Sequence, residues 1–358
     1  MKIIFRSFAL IGFAAVVLWL MGRANLIDFS MIQNAFQHEK GFVLLTIGVQ
    51  LLIFILLMYR YVLTVRAFSV RVPTKDMAAA TFVSVAIGQW APGAMAIMEV
   101  IRMGLMFGTN KNVPEEEGVK PRLVAASLYD RLIGFMVILL IGFVASSYLV
   151  LLQLKLNAAP ATLAPLLALA VFSLCGTLAI IALPFVTRLS ASHRILVGLH
   201  KRLGDNTQTP SPLTRALQQA LAQAEKLRHV LASGGSNLKS FSSATFVSLV
   251  ASVLMSVAIY TAALAVGTPI PLTAIIASFP VVAIASLLPM GFAGMGGYQL
   301  VTVAVFHIFG VDARVAASAN LLQTALSLLT CTALGLLFAR SSLHQIRALL
   351  SRKKAIPV

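Results

Sequence analysis

The sequence predicts an all-α membrane protein, a polytopic helical bundle with six full spans and two re-entrant broken-helix hairpins in an inverted repeat. Three observations carry that expectation. Of the 358 residues, 59% are hydrophobic and 11% charged, against roughly 25% charged in an average soluble domain, so lipid is the solvent for most of the chain. Uninterrupted apolar runs recur at bilayer length. Two further apolar regions are broken midway by Pro and Gly.

A hydrocarbon core of about 30 Å takes roughly 20 helical residues. Six runs reach that length: about 4–22, 41–59, 123–152, 163–186, 241–266 and 313–339. The first follows Lys2 and contains Arg6, as a signal peptide would, but no small-x-small cleavage site follows Trp19 to Arg23. It is therefore read as an uncleaved first helix. The two broken regions read as pairs of half-length helices. One has arms 77–90 and 94–108 around Ala91-Pro92-Gly93; the other has arms 273–288 and 298–309 around Pro289 and the glycine-rich run 290–297. At 1.5 Å per residue such arms reach only about 18–24 Å, so neither crosses comfortably alone.

Charge supplies the orientation. Lys plus Arg number 28 against 11 Asp plus Glu, and they cluster between apolar runs. Arg60, Arg66, Arg71 and Lys75 fall in 60–76, and the segment 187–240 and the tail after 340 are similarly basic, whereas 267–272 carries no charge. The positive-inside tendency then places both termini in the cytoplasm, provided each broken region enters and leaves on one side. The first hairpin dips in from the cytoplasm and the second from outside. The chain reads as one transmembrane unit over 1–358, with a first half at about 41–152, a second at about 241–339, and a basic cytoplasmic connector at about 187–240. Within that connector Leu213, Leu217, Leu221, Ala224, Leu227 and Leu231 recur at helical spacing, suiting an amphipathic helix on the inner leaflet or one packed across the bundle.

Several function classes drop out. The positive charge is topological, and no motif or basic-aromatic stretch points to nucleic acid. Cys175 and Cys331 lie in apolar runs without CxxC, and the histidines form no HExxH pair, so no metal site is expected. The run 290–297 lacks the Lys-Ser/Thr of a nucleotide loop.

The residues left with chemistry to do sit at the breaks. Unwound backbone at membrane depth must be buried in protein or line a wet cavity, and paired broken segments in two halves are the sequence pointer to a transport site. Glu99 and Arg102, three apart in AMAIMEVIRMGLMF, share a helix face and can pair; they read either as a polar lining that meets a lipid head group or as a structural ion pair. Asp130 and Arg131 point about 100° apart, so Asp130 can face a cavity while Arg131 snorkels or pairs with Glu99; an interface-anchoring pair without substrate contact is the equal reading. Trp90 and Gln299 flank the two breaks as polar-tipped candidates, with packing an equal reading for Trp90. The second break reads either as a tight turn or as a place where backbone NH groups meet an anion.

These landmarks, quoted as QWAPGAMAIMEVIR, SLYDRL and LLPMGFAGMGGYQL, resemble over nearly the whole chain the flippase-like integral membrane family that includes the transmembrane region of lysylphosphatidylglycerol synthases. In that family a Pro-Gly break precedes a Glu and an Arg, an acidic-Arg pair follows, and a Pro plus glycine-rich break precedes a usually acidic residue. Pro92, Gly93, Glu99 and Arg102 match the first element, Asp130 and Arg131 the second, and Pro289, Gly294, Gly296 and Gly297 the third. Glu99 lies further from its break than is common, and Gln299 stands where an acid is often found. The aminoacyl-transferring soluble domain of larger members has no counterpart in these residues, so the resemblance implies no synthesis of lysyl-lipid here.

The expectation is a multi-pass protein of a bacterial inner membrane that moves a lipid or lipid-linked glycan between leaflets through a midplane cavity, with no covalent chemistry, catalytic residue or cofactor. Its expected partners are that lipid, anionic inner-leaflet lipids and envelope-biosynthesis proteins. Two rival readings are a non-transporting scaffold of an envelope lipid or glycan synthesis complex, and a membrane enzyme using Glu99 or Asp130 as general base.

Overall fold

A computed structural model describes residues 16, 19–23, 27–90, 94–109, 119–155, 160–188, 238–287, 291–292 and 295–352. Its elements are α1 (Phe29–Gln37), α2 (Lys40–Ala67), α3 (Thr74–Gly88), α4 (Ala94–Thr109), α5 (Val119–Lys155), α6 (Pro160–Arg188), α7 (Leu238–Ala265), α8 (Leu272–Leu287), β1 (Gly291–Phe292), β2 (Met295–Gly296), α9 (Gly297–Ile308) and α10 (Ala313–Arg352). Among the described residues the protein is all-helical apart from a two-residue antiparallel ladder that pairs Gly291 with Gly296 and Phe292 with Met295 beside the second break. Most of the first predicted span, the stretch 213–231 and the tail 353–358 lie outside the described residues.

Five helices among the described residues are long and apolar enough to cross a bilayer: α2, α5, Leu163–Ala182 of α6, Lys239–Ala265 of α7, and Ala313–Ala339 of α10. Several overrun the apolar windows that reveal them. Helix α5 starts at Val119, ahead of the run at 123, and α10 continues to Arg352, because backbone hydrogen bonding carries a helix into the head-group layer regardless of side-chain polarity. Helix α6 packs on α5 and turns Leu167, Val171, Phe172, Leu178 and Ile181 outward, the pattern of a face that meets lipid.

Both broken regions form packed pairs of short helices, α3 on α4 and α8 on α9. Their lengths of 15, 16, 16 and 12 residues give about 18–24 Å each at 1.5 Å per residue. Residues 77–84 of α3 are buried, together with Ala86 and Gly88. Protein rather than lipid therefore surrounds that arm, as backbone interrupted at membrane depth requires.

The two halves use the same local devices. Helices α2 and α7 are each 28 residues long. Each stops at a left-handed residue, Ser69 at φ 58° and Gly267 at φ 91°. There the NH of Ser69 donates to Arg66 O and that of Val70 to Val65 O, matched by Gly267 to Leu264 O and Thr268 to Ala263 O. This paired closure is the Schellman turn. Pro73 precedes α3 and Pro271 precedes α8, each fixing φ where the next helix begins. Helix α2 packs most extensively on α7, while α3 lies on α10 and α8 on α5, so each hairpin docks on the closing helix of the other half. One apolar cluster gathers around the first hairpin, including Tyr61, Met77, Leu105, Met106 and Leu123. Another surrounds the second, including Ile270, Ile275, Phe306 and Leu322.

Candidate functional site

Between the hairpins lies a cavity of about 320 Å³. Its wall takes side chains from α2, α3, α4, α5, α7, α8, α9 and α10, so both broken segments and both halves build it. Much of the wall is apolar, with Phe54, Leu57, Phe82, Phe135, Ile138 and Phe279 among the contributors, and its charged members are Arg60, Arg102, Asp130 and Arg131.

The charges form two linked pairings. From α2, Arg60 forks onto Asp130 of α5: its Nε donates to Oδ1 at 2.7 Å and its Nη2 to Oδ2 at 3.0 Å, while Nη1 donates to Ser248 Oγ of α7 at 2.9 Å. Planar guanidinium and carboxylate match in this arrangement, which is the strong form of the ion pair. Gly134, one turn beyond Asp130, makes it possible, because a Cβ there would lie 2.9 Å from Arg60 Nη1. From α4, Glu99 accepts from Arg102 through both oxygens and from Arg131 Nε at 2.5 Å. Arg102 also stacks over the Tyr61 ring, 3.9 Å from its centroid, and the Tyr61 hydroxyl is 3.1 Å from Ser127 Oγ. Asp130 is 1% exposed, whereas the side chains of Arg131 and Glu99 are 27% and 20% exposed. The second pairing is thus the more accessible.

The second hairpin brings neutral polarity. Gln299 is buried; its Nε2 donates to Thr324 Oγ1 at 3.2 Å, and Thr324 Oγ1 lies 3.4 Å from Asn320 Oδ1. Asn320 and Thr302 reach the cavity wall, and Thr81 and Ser278 add hydroxyls. Gln299 Oε1 and Thr81 Oγ1 are buried and find no hydrogen-bond partner among the described residues.

Of the residues singled out in the sequence, Arg102, Asp130 and Arg131 line this cavity, and Glu99 joins two of the lining arginines. Gln299 stands behind the wall, hydrogen-bonded toward Asn320 through Thr324. Trp90 is 43% exposed and is not part of the wall; its Nε1 donates to Thr332 Oγ1 at 3.2 Å, and the neighbouring Gln89 lines the cavity instead. Gly296 and Gly297 form the end of the ladder and the start of α9. Pro92, Gly93, Pro289 and Gly294 lie outside the described residues.

Arg60 is the charged site residue that sequence reasoning missed, beside the neutral wall residues Gln89, Ser248, Thr302 and Asn320. It sits at the edge of the apolar window 41–59 and counted there as a cytoplasmic loop charge, yet it is buried seven residues before the end of α2. A signal was present: five residues of helix-compatible sequence, Tyr61 to Val65, continue the apolar pattern after it. Without Arg60, Arg66 on the last turn of α2, Arg71 on the connector and Lys75 on the first turn of α3 still gather at that end, so the charge bias stands. Among the described residues no group of three His, Cys, Asp or Glu is placed to hold a metal.

A family model described as the lysylphosphatidylglycerol synthase TM region matches residues 5–335. No curated protein and no solved structure matches the chain.

Proposed function

The chain belongs to the lysylphosphatidylglycerol synthase transmembrane-region family, and from that premise we propose that it carries a lipid between leaflets, as a flippase or scramblase. The head group passes through the cavity between the hairpins while the acyl chains stay in hydrocarbon. One observation carries the reading: a cavity of about 320 Å³ whose wall draws on both broken segments and holds ionised groups within a multi-pass membrane protein. A bare ion in hydrocarbon meets a solvation cost on the order of tens of kcal/mol, and fixed guanidinium, carboxylate, amide and hydroxyl groups replace the lost water. This volume is at the lower end of the roughly 300–1,000 Å³ of ligand pockets. It suits one small head group; a lipid-linked oligosaccharide requires the hairpins to part.

The distribution of Lys and Arg supports a bacterial inner-membrane orientation with both termini cytoplasmic, the first hairpin entering from inside and the second from outside. The matching ends of α2 and α7 and the crosswise docking of the hairpins support an inverted repeat. Rocking of one half against the other then opens the cavity to either face. No covalent step belongs to this reading. Glu99 is bridged by two arginines and Asp130 is forked by one, pairings that support a binding role over that of a general base.

Reconstituted into vesicles, the protein is expected to move acyl-labelled lipid to the opposite leaflet faster than empty vesicles, read by quenching the label from outside. Rates equal to those of empty vesicles across several lipid classes overturn the reading and leave a scaffold role.

A further inference from the structure

We propose that the cavity selects a lipid head group with one net negative charge, a phosphodiester without a compensating ammonium, and that Arg131 and Arg102 are the groups that receive it. This rests on the lipid-carrying reading above and names its substrate class.

The argument is a balance of charges. Arg60, Arg102 and Arg131 face the site, with Glu99 and Asp130 as the carboxylates paired to them. Arginine stays protonated in proteins, so among the described residues the ionised cluster carries one positive charge more than it neutralises internally. Asp130 is taken by Arg60, whose remaining donor goes to Ser248. The surplus therefore belongs to Arg102 and Arg131, which share the one carboxylate of Glu99. Of those two, Arg131 is the one that stays partly accessible. An uncompensated charge at membrane depth is costly, and a monoanion in the adjacent cavity cancels it. The planar guanidinium fork fits phosphate oxygens. A zwitterionic head group brings an ammonium that restores the surplus, and an aminoacylated cationic one increases it. The apolar remainder of the wall, including Phe135, Ile138 and Phe279, favours a ligand with a lipid body over a soluble phosphodiester.

The test measures binding separately from transport. Full-length protein in neutral detergent is titrated with phosphatidylglycerol, phosphatidylcholine and lysylated phosphatidylglycerol, with occupancy read by native mass spectrometry. Phosphatidylglycerol is expected to bind at least about tenfold tighter than the other two, the low end for a hydrogen bond to a charged group. Arg131→Gln is expected to erase the preference and Arg131→Lys to keep most of it. Glu99→Gln, which raises the surplus, is expected to strengthen it. Arg66→Gln, on the exposed last turn of α2, and Arg71→Gln, on the exposed connector before α3, are expected to leave it unchanged. Glycerophosphoglycerol, the same phosphodiester without acyl chains, is expected not to compete at equal concentration.

Equal binding of the three lipids, or tighter binding of the lysylated one, overturns the proposal. So does a preference that vanishes with the Arg66 and Arg71 changes but survives Arg131→Gln, which marks a surface effect. Glu99→Gln and Arg131→Gln shifting the preference in the same direction marks a structural role and also overturns it. Competition by glycerophosphoglycerol overturns the lipid assignment. Selective binding without movement in vesicles upholds the selectivity and defeats the transport reading, whereas unselective movement does the reverse.

Discussion

Arg60 and Asp130 are separated by 70 residues and meet in a fork that sequence spacing does not reveal. The Glu99–Arg102 pairing, three residues apart on one helix, is legible from spacing alone, and Arg131 reaching Glu99 follows once α4 and α5 are brought together. The difference is physical. A contact within one turn is set by helical geometry, whereas a contact between helices depends on how those helices pack. Breaking the buried fork leaves an uncompensated charge, which costs about 3–5 kcal/mol. Asp130→Asn is therefore expected to lower the unfolding temperature in detergent markedly. The double change Arg60→Met with Asp130→Leu removes both charges, and replacing a buried pair by apolar residues is often neutral or stabilising by about 1–4 kcal/mol. That variant is expected to recover the lost stability, measured by thermal unfolding. A double variant no more stable than Asp130→Asn contradicts the assignment of that loss to an orphaned charge.

Helix breakers revealed the hairpin arms to within a few residues: 77–90 and 94–108 were expected where α3 and α4 cover Thr74–Gly88 and Ala94–Thr109. Pro and Gly act on their own backbone, so their effect is local and readable. How the arms dock is not local. The Pro280 ring of α8 sits where a Cβ on Gly142 of α5 would go, and Ala86 of α3 sits where a Cβ on Gly335 of α10 would go. Small residues thus bring each hairpin close to the closing helix of the opposite half, the usual means of tight helix packing where lipid supplies no hydrophobic drive. Gly142→Leu and Gly335→Leu are each expected to overpack their contact at a cost of about 1–3 kcal/mol. Because each contact joins the halves around the cavity, transport is expected to fall more steeply than stability. The check is the vesicle assay beside a melting curve, and a variant with unchanged rate and stability rules out its docking role.

For the molecule as a whole, the topology is the claim most open to direct measurement. In a background lacking Cys175 and Cys331, single cysteines replacing Ser69 and Lys120 bracket the first hairpin, and ones replacing Thr268 and Arg314 bracket the second. A re-entrant first hairpin predicts that Ser69→Cys and Lys120→Cys both react with an impermeant thiol reagent from the cytoplasm, and a re-entrant second predicts that Thr268→Cys and Arg314→Cys both react from outside. Opposite-side reactivity within either pair makes that hairpin a crossing. Composition and run length established that lipid is the solvent, that the fold is helical, and where the backbone breaks, because hydrophobic length and the effects of Pro and Gly accumulate along a local stretch of chain. Packing alone decided that Arg60 is buried with Asp130, that Trp90 stays outside the wall, and that both hairpins close on a shared, largely apolar cavity that holds the charged groups. Those outcomes depend on which helix faces meet across long separations, and hydropathy carries no record of the partner.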